Sequence, residues 1–477
     1  MTAIALTAAW VAAAMHGSLV AGDPARAFSG VSIDTRTLKA GELFVAIKGD
    51  RFDGAEFADQ AIAAGAAGIV VRLKADTTAG GDAAASTAAS GFSRTLPIIA
   101  VDDTTIALQS LARTIRRESG AKVVAITGSA GKTTTKEITT DLLATRYRVV
   151  KNRGNFNNHI GLPLSLMDLA ARPEIAVVEL GMNHAGEIAT LVSIAEPDVR
   201  VWTNVGEAHL GFFRSVDDIA EAKAEIFEGA TRSTLLVANA DDPRIVERLG
   251  RFRGRIVTFG IEREATVRAS DIEDRGTAGL RARVSTPGGS FAVETPLVGR
   301  SNLANLLAAA AVAIEFGVST DTVAQRAREL RPAAHRGEVI PLPSGATVID
   351  DSYNANPTAT KRALDVLASA SGQRRVAVLG EMLELGGQSV ALHEDVGRAA
   401  ARARVELLVT VGGAPAAALA DAAVAAGLPR SAVRHFATSD EAAETVAAAV
   451  RAGDVVLVKG SRGVKTDRVV ERLKERG

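Results

Sequence analysis

Residues 123–134, VVAITGSAGKTT, constrain the fold of this chain more than any other stretch of its sequence. An apolar run that predicts a strand ends in a glycine-rich turn, and polar residues typical of a helix start follow at once. This order places backbone N–H groups and a helix N-terminus around an anion, while Lys132 supplies a positive charge and Thr133 a hydroxyl for a metal ion. The spelling departs from G-x-x-x-x-G-K-[ST], because Ile126 stands at the first glycine position. We interpret the segment as a phosphate-binding loop, and the alternative is an incidental glycine-rich turn.

Length and composition exclude several classes of protein. A chain of 477 residues is too long for one core and suggests roughly three domains of ~150 residues. Lys and Arg together number 55, as do Asp and Glu, so the net charge is zero and no basic footprint of a nucleic-acid binder is present. The absence of cysteine excludes disulfides, thiolate zinc sites and a cysteine nucleophile, and is compatible with a reducing cytoplasm.

The amino-terminal run from Ala3 to Met15 is almost wholly apolar. No Lys or Arg precedes it, as a secretory signal would require, and it is shorter than the ~20 residues that span a bilayer. We therefore expect a packed helix of a small domain, a cytoplasmic protein and no membrane span.

Alternation of apolar runs with amphipathic segments predicts an α/β protein of three domains, at 1–104, 105–332 and 333–477. Residues 74–95 are rich in Ala, Ser, Thr and Gly and predict a flexible insertion in the first domain. The central domain is expected to hold a mostly parallel sheet, with an antiparallel edge over Val267–Val298 and an apolar helix over Gly299–Phe316. The third domain is predicted to have a Rossmann-like fold.

Polar side chains follow several predicted strands, where a parallel sheet presents its ligands. Thr133, Glu179 and His209 stand at such positions, and oxygen ligands such as the first two suit Mg²⁺. Taken alone, His209 is more simply read as a structural histidine, and Lys223 as a solvated helix lysine.

Two further polar segments attract attention. The run Asn152–His159 contains three asparagines in four positions, which predicts a polar loop that binds a ligand rich in hydrogen-bonding groups, an ordinary loop being the alternative. The doublet Asp350-Asp351, followed by Ser-Tyr-Asn-Ala-Asn-Pro357, also sits at a predicted strand end. It could address ribose hydroxyls or a base.

These segments together resemble the ATP-dependent Mur ligases of peptidoglycan synthesis. The matching motifs run in the family's order through nearly the whole chain: TGSAGKTT, NRGNFNNHIGLP, VVELGMNHAGEI, NVGEAHLGFF, GRSNLANLLAAAA, HRGE, DDSYNANP and VLVKGSRG. Val31–Arg36 and Gly41–Asp53 are similar to the family's uridine-nucleotide domain, so the first domain is expected to be a small mixed α/β domain that binds the UDP-sugar. DDSYNANP, ELGMNH and KGSR are most similar to the branch that adds D-alanyl-D-alanine.

The resemblance implies a role for each matching residue. Lys132, Lys223, His209 and Arg336 would be catalytic. The residues implied to bind ATP are Gly128, Ser129, Ala130, Gly131, Lys132, Thr133, Thr134, Asn302, Asn305, Arg336, Asp351 and Tyr353. Those implied to bind the UDP-sugar are Ser32, Asp34, Thr35, Arg36, Asn155, Asn157 and Asn158. Two Mg²⁺ ions would be held by Thr133, Glu179, His209 and Lys223, the last as a carbamate, which requires a depressed lysine pKa.

The implied substrates are ATP, UDP-N-acetylmuramoyl-tripeptide and D-alanyl-D-alanine, joined by a monomer through an acyl phosphate. Gly299-Arg-Ser-Asn302 lacks the histidine of the family's common GRHN, and Ala55 stands where a histidine is common. Two alternatives remain: a relative that adds a diamino acid or glutamate, and a nucleotide-binding regulatory protein without catalysis.

Overall fold

The computed structural model describes residues 2–49, 52–73 and 96–476. Contacts divide these residues into two compact units. The first comprises the described residues up to Ala125 with Tyr147–Met182 and Glu187–Asp198, and the second comprises Ile126–Arg146, Asn183–Gly186 and the described residues from Val199 onward. The insertion expected at 74–95 lies outside the described residues, and the domain boundaries at 104 and 332 stay predictions.

The amino-terminal region is built on a five-stranded sheet. Its strands are β1 (Ser18–Ala21), β2 (Val31–Ser32), β3 (Leu43–Val45), β4 (Gly68–Arg72) and β5 (Ile98–Val101), and its helices are α1 (Ala8–Ala14) and α2 (Ala58–Ala63). The spatial order is β1-β5-β4-β3-β2, in which β2 to β5 are parallel and β1 is an antiparallel edge. Phe44, Ile69 and Ile98 form the buried centre of the sheet face.

Helix α1 is shorter than the apolar run that predicted it. The helix begins at Ala8 because the Thr7 side chain caps it by accepting a hydrogen bond from the Trp10 amide. Ala8, Val11, Ala12 and Ala14 are buried, which confirms a packed helix. Within the described part of the chain, no helix is both long enough and apolar enough to cross a bilayer.

The central region alternates strands and helices as its sequence predicts. Its strands are β6 (Lys122–Thr127), β7 (Val149–Lys151), β8 (Ile175–Glu179), β9 (Val199–Trp202), β10 (Leu235–Asn239), β11 (Arg255–Gly260), β12 (Val267–Asp274), β13 (Leu280–Thr286) and β14 (Gly289–Thr295). Its helices are α3 (Thr104–Ser119), α4 (Lys132–Leu143), α5 (Gly161–Leu166), α6 (Glu187–Ala195), α7 (Val216–Ala224), α8 (Pro243–Val246), α9 (Arg300–Glu315) and α10 (Thr320–Glu329).

Most strand pairs of this region are parallel. In the first unit β7 pairs with β8, and in the second unit β9, β10, β11 and β12 pair in chain order, all in parallel. The strands β12, β13 and β14 then form an antiparallel meander, which confirms the predicted antiparallel edge. Helix α9 is buried along nearly its whole length, as a helix of leucine and alanine with few polar positions should be.

The carboxyl-terminal region has a six-stranded sheet in the order β15-β16-β20-β17-β18-β19. Its strands are β15 (Glu338–Pro341), β16 (Thr347–Asp351), β17 (Arg374–Gly380), β18 (Leu407–Val411), β19 (Val433–Phe436) and β20 (Asp454–Lys459). Its helices are α11 (Pro357–Ser369), α12 (Ser389–Arg402), α13 (Ala414–Ala425), α14 (Ser439–Ala449) and α15 (Asp467–Arg476).

The order of these strands creates a switch point at which ligands can bind. All neighbours are parallel except β15, which lies antiparallel to β16 at one edge. The chain leaves β16, builds β17 to β19 on one side and returns to insert β20 between β16 and β17. Because strand order reverses there, the carboxyl ends of β16 and β20 border a crevice, and their last residues Asp351 and Lys459 are direct partners in the register.

Candidate active site

The predicted phosphate loop joins β6 to α4 and depends on two glycines with positive φ. Gly128 has φ +151°, and a Cβ there would lie 2.0 Å from the Thr203 hydroxyl oxygen. Gly131 has φ +80°, and a Cβ there would lie 2.3 Å from the Asn305 side-chain oxygen. Any other residue would collide as well as being strained, so the loop can keep this shape only with glycine at both positions.

Side chains from the end of β9 hold the loop from below. The Thr203 hydroxyl donates to the Ala130 carbonyl at 2.7 Å, and the Ala130 amide donates to the Asn204 side-chain oxygen at 2.9 Å. The Ser129 amide donates to the Asn204 carbonyl at 3.0 Å. Sequence reasoning assigned no role to Thr203 or Asn204, although polar residues at a strand end were the available signal. These bonds fix the loop before any ligand arrives.

Helix α4 begins at Lys132, so its first-turn amides and the Thr133 and Thr134 side chains adjoin the loop. The Lys132 ammonium donates to the Gly128 carbonyl at 2.8 Å. The side chain therefore folds back over the loop that it is predicted to serve. A helix N-terminus, glycine-borne amides and an ammonium group together favour an anion of several charges.

Lys223 differs from what its local sequence suggested. It lies in the last turn of α7 and is 1% exposed, so it is not a solvated helix lysine. Burial lowers its pKa well below the usual lysine value, and the nearby charge of Lys132 lowers it further. The structure thus holds an amine beside the phosphate loop in an environment that favours its neutral form.

His209 is held by the carboxyl-terminal region. Its Nδ1–H donates to the Glu384 carboxylate at 2.6 Å, which lowers the pKa of Glu384, and the Gly211 amide donates to the Glu384 carbonyl at 2.7 Å. His209 and Glu384 both have left-handed backbones, with φ of 64° and 66°. Non-glycine residues keep such conformations only where their surroundings impose them, frequently at functional sites. Glu384 was not singled out from the sequence.

Among the described residues, no three His, Asp or Glu side chains converge to hold a metal ion. The positive charge of Lys132 instead acts at this side of the loop, where it reaches the buried Lys223. A free cation would be repelled there. The donors therefore fit Mg²⁺ only when it arrives with a polyanion whose oxygens supply part of its shell, and when Lys223 is neutral or carries a carboxylate.

The carboxyl-terminal crevice contains the other predicted nucleotide residues. The Asp351 carboxylate accepts from the Lys459 ammonium at 2.6 Å, which orients it at the end of β16. The buried Asp350 carboxylate accepts a hydrogen bond from Nδ1 of His335 at 2.8 Å. His335 directly precedes Arg336 in the sequence. The Arg336 guanidinium lies over the Tyr353 ring, 4.1 Å from its centroid. The structure thus brings Arg336, Asp351 and Tyr353 together. Their spacing in the sequence alone did not show that Arg336 would lie near the other two.

Asn302 and Asn305 lie on the first turns of α9 and are held by neighbours. The side-chain amide of Asn302 donates to the Val298 carbonyl at 2.9 Å. The side-chain oxygen of Asn305 accepts from the Thr135 hydroxyl at 3.3 Å and packs against Gly131. Asn305 therefore helps to shape the phosphate loop. A contact of either residue with adenine stays a prediction.

In the first unit, Glu179 and the asparagine-rich loop are bonded to each other. The side-chain amide of Asn157 donates to the Glu179 carboxylate at 2.5 Å, and the backbone amide of Glu179 donates to the side-chain oxygen of Asn152 at 3.1 Å. The Asn158 side-chain oxygen accepts from the backbone amide of Gly161, the first residue of α5, at 2.7 Å, while Asn155 is exposed. The loop is thus ordered by its own asparagines, and its contact with a UDP-sugar stays a prediction.

The predicted uridine residues form a tight turn after β2. The Asp34 carboxylate accepts from the Arg36 backbone amide at 3.0 Å and from its guanidinium at 2.6 Å, and these bonds lower the pKa of Asp34. Ser32 is buried and its hydroxyl donates to the Asp34 carbonyl at 3.2 Å. The turn thus sets Asp34, Thr35 and Arg36 on one short segment, in which Arg36 is exposed and the other two are half-buried.

Comparison with known families finds three matches along the chain. The description "Mur ligase family, catalytic domain" matches residues 27–116, "Mur ligase middle domain" matches 126–313, and "Mur ligase, glutamate ligase domain" matches 335–462. A curated relative from Escherichia coli, UDP-N-acetylmuramoyl-tripeptide–D-alanyl-D-alanine ligase, is 36% identical over 94% of each chain.

Solved structures agree with this result. The crystal structure of MurF from Acinetobacter baumannii superposes with a TM-score of 0.86 at 30% identity and covers 100% of both chains. MurF ligase from Thermotoga maritima, solved in complex with ADP, gives a TM-score of 0.79 at 29% identity, covering 94% of this chain and 97% of that one.

Replacing Lys223 with methionine should stabilise the protein near neutral pH. Near neutral pH the lysine is protonated in the unfolded chain, whereas the buried Lys223 has a lowered pKa. The free energy of folding therefore becomes less favourable as the pH falls, by at most about 1.4 kcal/mol per pH unit. Methionine has similar length and no proton to lose. Urea midpoints of wild type and Lys223→Met, in nucleotide-free buffer without CO₂, should differ more at pH 7 than at pH 9.5.

Lys122→Met is the matched control, because Lys122 is an exposed lysine paired with Asp198. Its midpoint should differ from wild type by a similar, small amount at both pH values. If the difference in urea midpoint between Lys223→Met and wild type stayed constant or grew as the pH rises, it would contradict a lowered pKa for the buried Lys223.

Proposed function

This chain belongs to the Mur ligase family, and we propose that it joins D-alanyl-D-alanine to UDP-N-acetylmuramoyl-tripeptide at the expense of ATP, in the synthesis of peptidoglycan precursors. The observation that carries the proposal is the match to a ligase of that name over 94% of each chain. The pre-formed phosphate loop supplies the ATP chemistry that such a ligation needs.

The reaction needs ATP because a carboxylate does not form an amide at neutral pH without a leaving group. An oxygen of the tripeptide's terminal carboxylate attacks the γ-phosphorus, and ADP leaves. The amine of D-alanyl-D-alanine then attacks the acyl carbon, loses a proton and expels orthophosphate, which keeps the carboxylate oxygen. No protein nucleophile takes part, which fits a chain without cysteine.

The protein's main task is electrostatic, because two anions must meet in the first step. Lys132 and the loop amides of Gly128–Thr134 hold the β- and γ-phosphates, and Arg336 reaches the transferring phosphoryl group. Asn302 and Asn305 lie toward adenine, while Asp351 and Tyr353 meet the ribose. Support for these roles comes from the loop's fixed shape and from the cluster of Arg336, Asp351 and Tyr353 at one strand edge.

Thr133, Glu179, His209 and Lys223 would hold two Mg²⁺ ions, which would neutralise part of the phosphate charge. Lys223 would take part as a carbamate: its neutral nitrogen bonds to the carbon of CO₂ and releases one proton, so an uncharged amine becomes an anionic carbamate. The lowered pKa of the buried amine supports this, since only the neutral form reacts. His209 presents Nε2, because Nδ1 is bonded to Glu384.

The uridine end of the acceptor is assigned to the first domain. Ser32, Asp34, Thr35 and Arg36 surround the uridine, and Asn155, Asn157 and Asn158 contact the sugar nucleotide. The short turn that groups the first set supports this assignment. We further infer a cytoplasmic monomer, because its nucleotide substrates are cytoplasmic, and a role in cell shape and division through the cell wall.

The substrate is tested by offering three donors separately with UDP-N-acetylmuramoyl-tripeptide and ATP: D-alanyl-D-alanine, meso-diaminopimelate and glutamate. Mass spectrometry should detect a product only with the dipeptide, heavier than the acceptor by the dipeptide minus water, with one ADP and one phosphate per product. A product with either other donor would reassign the substrate. If none of the three donors stimulated phosphate release, a non-catalytic nucleotide binder would be favoured.

Lys132→Ala should lower turnover by roughly 100-fold or more, because one fixed positive charge at the transferring phosphoryl group is lost. Folding should persist, as circular dichroism and the urea midpoint would show. Lys122→Ala, at the start of the same β6-loop segment and exposed, is the control and should keep wild-type turnover. Normal turnover in Lys132→Ala would refute the phosphate role.

A further inference from the structure

Two guanidinium groups lie near one aromatic ring at the carboxyl ends of β16 and β20. Arg336 is 4.1 Å and Arg462 is 5.2 Å from the centroid of Tyr353. Arg462 is exposed, while Arg336 and Tyr353 are half-buried. The proposed function assigns Arg336 to the transferring phosphoryl group and assigns no role to Arg462.

Within the described residues, neither guanidinium forms an ion pair with a carboxylate. The charged neighbours in this crevice are already matched, since Lys459 pairs with Asp351 at 2.6 Å. Some other arginines of the same region do have acidic partners, as Arg374 has Asp454 at 2.6 Å and Arg430 has Asp421 at 3.0 Å. Two unmatched positive charges around one ring repel each other, and the ring's negative face offsets only part of that cost. Anionic ligands would complete the site.

The proposed reaction brings two separate anions to the carboxyl-terminal crevice. One is the transferring phosphoryl group, already assigned to Arg336. The other is the free carboxylate of the dipeptide donor, whose amine must reach the acyl carbon. Because Arg336 is assigned to the phosphoryl group, Arg462 is the guanidinium at this ring that is left for the donor carboxylate.

An exposed apolar side chain, Leu383, lies next to the segment that carries Arg462. Leu383 is 43% exposed, and its Cδ1 lies 3.0 Å from where a Cβ on Gly463 would be. The Leu383 amide donates to the Ser461 hydroxyl at 2.9 Å, which fixes the Leu383 backbone against the segment that carries Arg462. Phe212 is 48% exposed and follows Gly211, whose amide donates to the carbonyl of Glu384, the residue after Leu383. A cation thus adjoins exposed apolar surface.

We propose that Arg462 and Leu383 form the subsite for the donor's carboxyl-terminal residue, an inference that rests on the proposed function. Arg462 binds the carboxylate through paired N–H groups, and Leu383 contacts the small methyl side chains. Gly463 keeps the space between them free of a side chain. The subsite therefore selects a short peptide that ends in a small residue with a free carboxylate.

The test compares D-alanyl-D-alanine with D-alanyl-D-alaninamide, which lacks the charge, on wild type and Arg462→Ala. Loss of a charge-assisted bidentate contact should raise the KM for the dipeptide roughly 10- to 100-fold. The KM values for ATP and for the tripeptide nucleotide should stay within about twofold, since phosphate binding is untouched. Wild type should prefer the acid over the amide by a similar factor, and Arg462→Ala should use both almost equally.

Arg462→Lys should fall between wild type and alanine, because it keeps the charge and loses the paired geometry. Arg430→Ala removes an exposed, ion-paired arginine of the same region and should match wild type. If Arg462→Ala still preferred the acid, or raised the KM for ATP alone, the subsite would be wrong. A wild type inactive with D-alanyl-D-alanine would instead refute the proposed function.

Discussion

The close contact between the glycine-rich loop and the residues beneath it is the constraint on which the rest of the site depends. Thr203 and Asn305 occupy the space that a side chain at Gly128 or Gly131 would need. Hydrogen bonds from Thr203 and Asn204 then hold the loop in shape. Because the amides are fixed in advance, an incoming phosphate meets them without a cost of reorganisation. The first turn of α4 and Lys132 take their positions from the same loop.

Local charge is organised although the whole chain is formally neutral. Lys132 and Lys223 interact near the loop, and Arg336 and Arg462 flank Tyr353 at the other sheet. Elsewhere in the second unit many exposed arginines are matched with acids, as Arg251 is with Glu221 at 2.7 Å. Positively charged side chains thus lie where an anionic nucleotide and a carboxylate donor are proposed to react. His209 and Glu384 connect the two regions within that unit.

Sequence patterns predicted what depends on short-range order. The strand, loop and helix around Gly131, the antiparallel edge over Val267–Val298 and the apolar α9 were all predictable, because each has a local signature. The start of α1 was placed too early, since apolar residues alone do not show that Thr7 would cap the helix. The edge strands β15 and β19 were missed because each has only four residues and lacks a continuous apolar run.

Site features that depend on tertiary contacts could not be predicted in the same way. Glu-Ala-Lys-Ala-Glu around Lys223 has the pattern of a solvated helix, and only packing shows that its amine is buried. The hydrogen bonds of Asn157 with Glu179 and of Asn158 with the Gly161 amide were likewise not predictable, and the contact of both residues with the sugar nucleotide stays a prediction. The pairing of His209 with Glu384 joins residues 175 positions apart, beyond any local pattern.

The central claim is that an oxygen of the acceptor's carboxylate becomes part of the phosphate that is released. It is tested most directly by labelling both oxygens of the terminal carboxylate of UDP-N-acetylmuramoyl-tripeptide with ¹⁸O and running the ligation to completion. Mass spectrometry of the orthophosphate should then find one ¹⁸O atom per molecule of product formed. Orthophosphate without label, alongside normal product, would contradict an acyl phosphate intermediate.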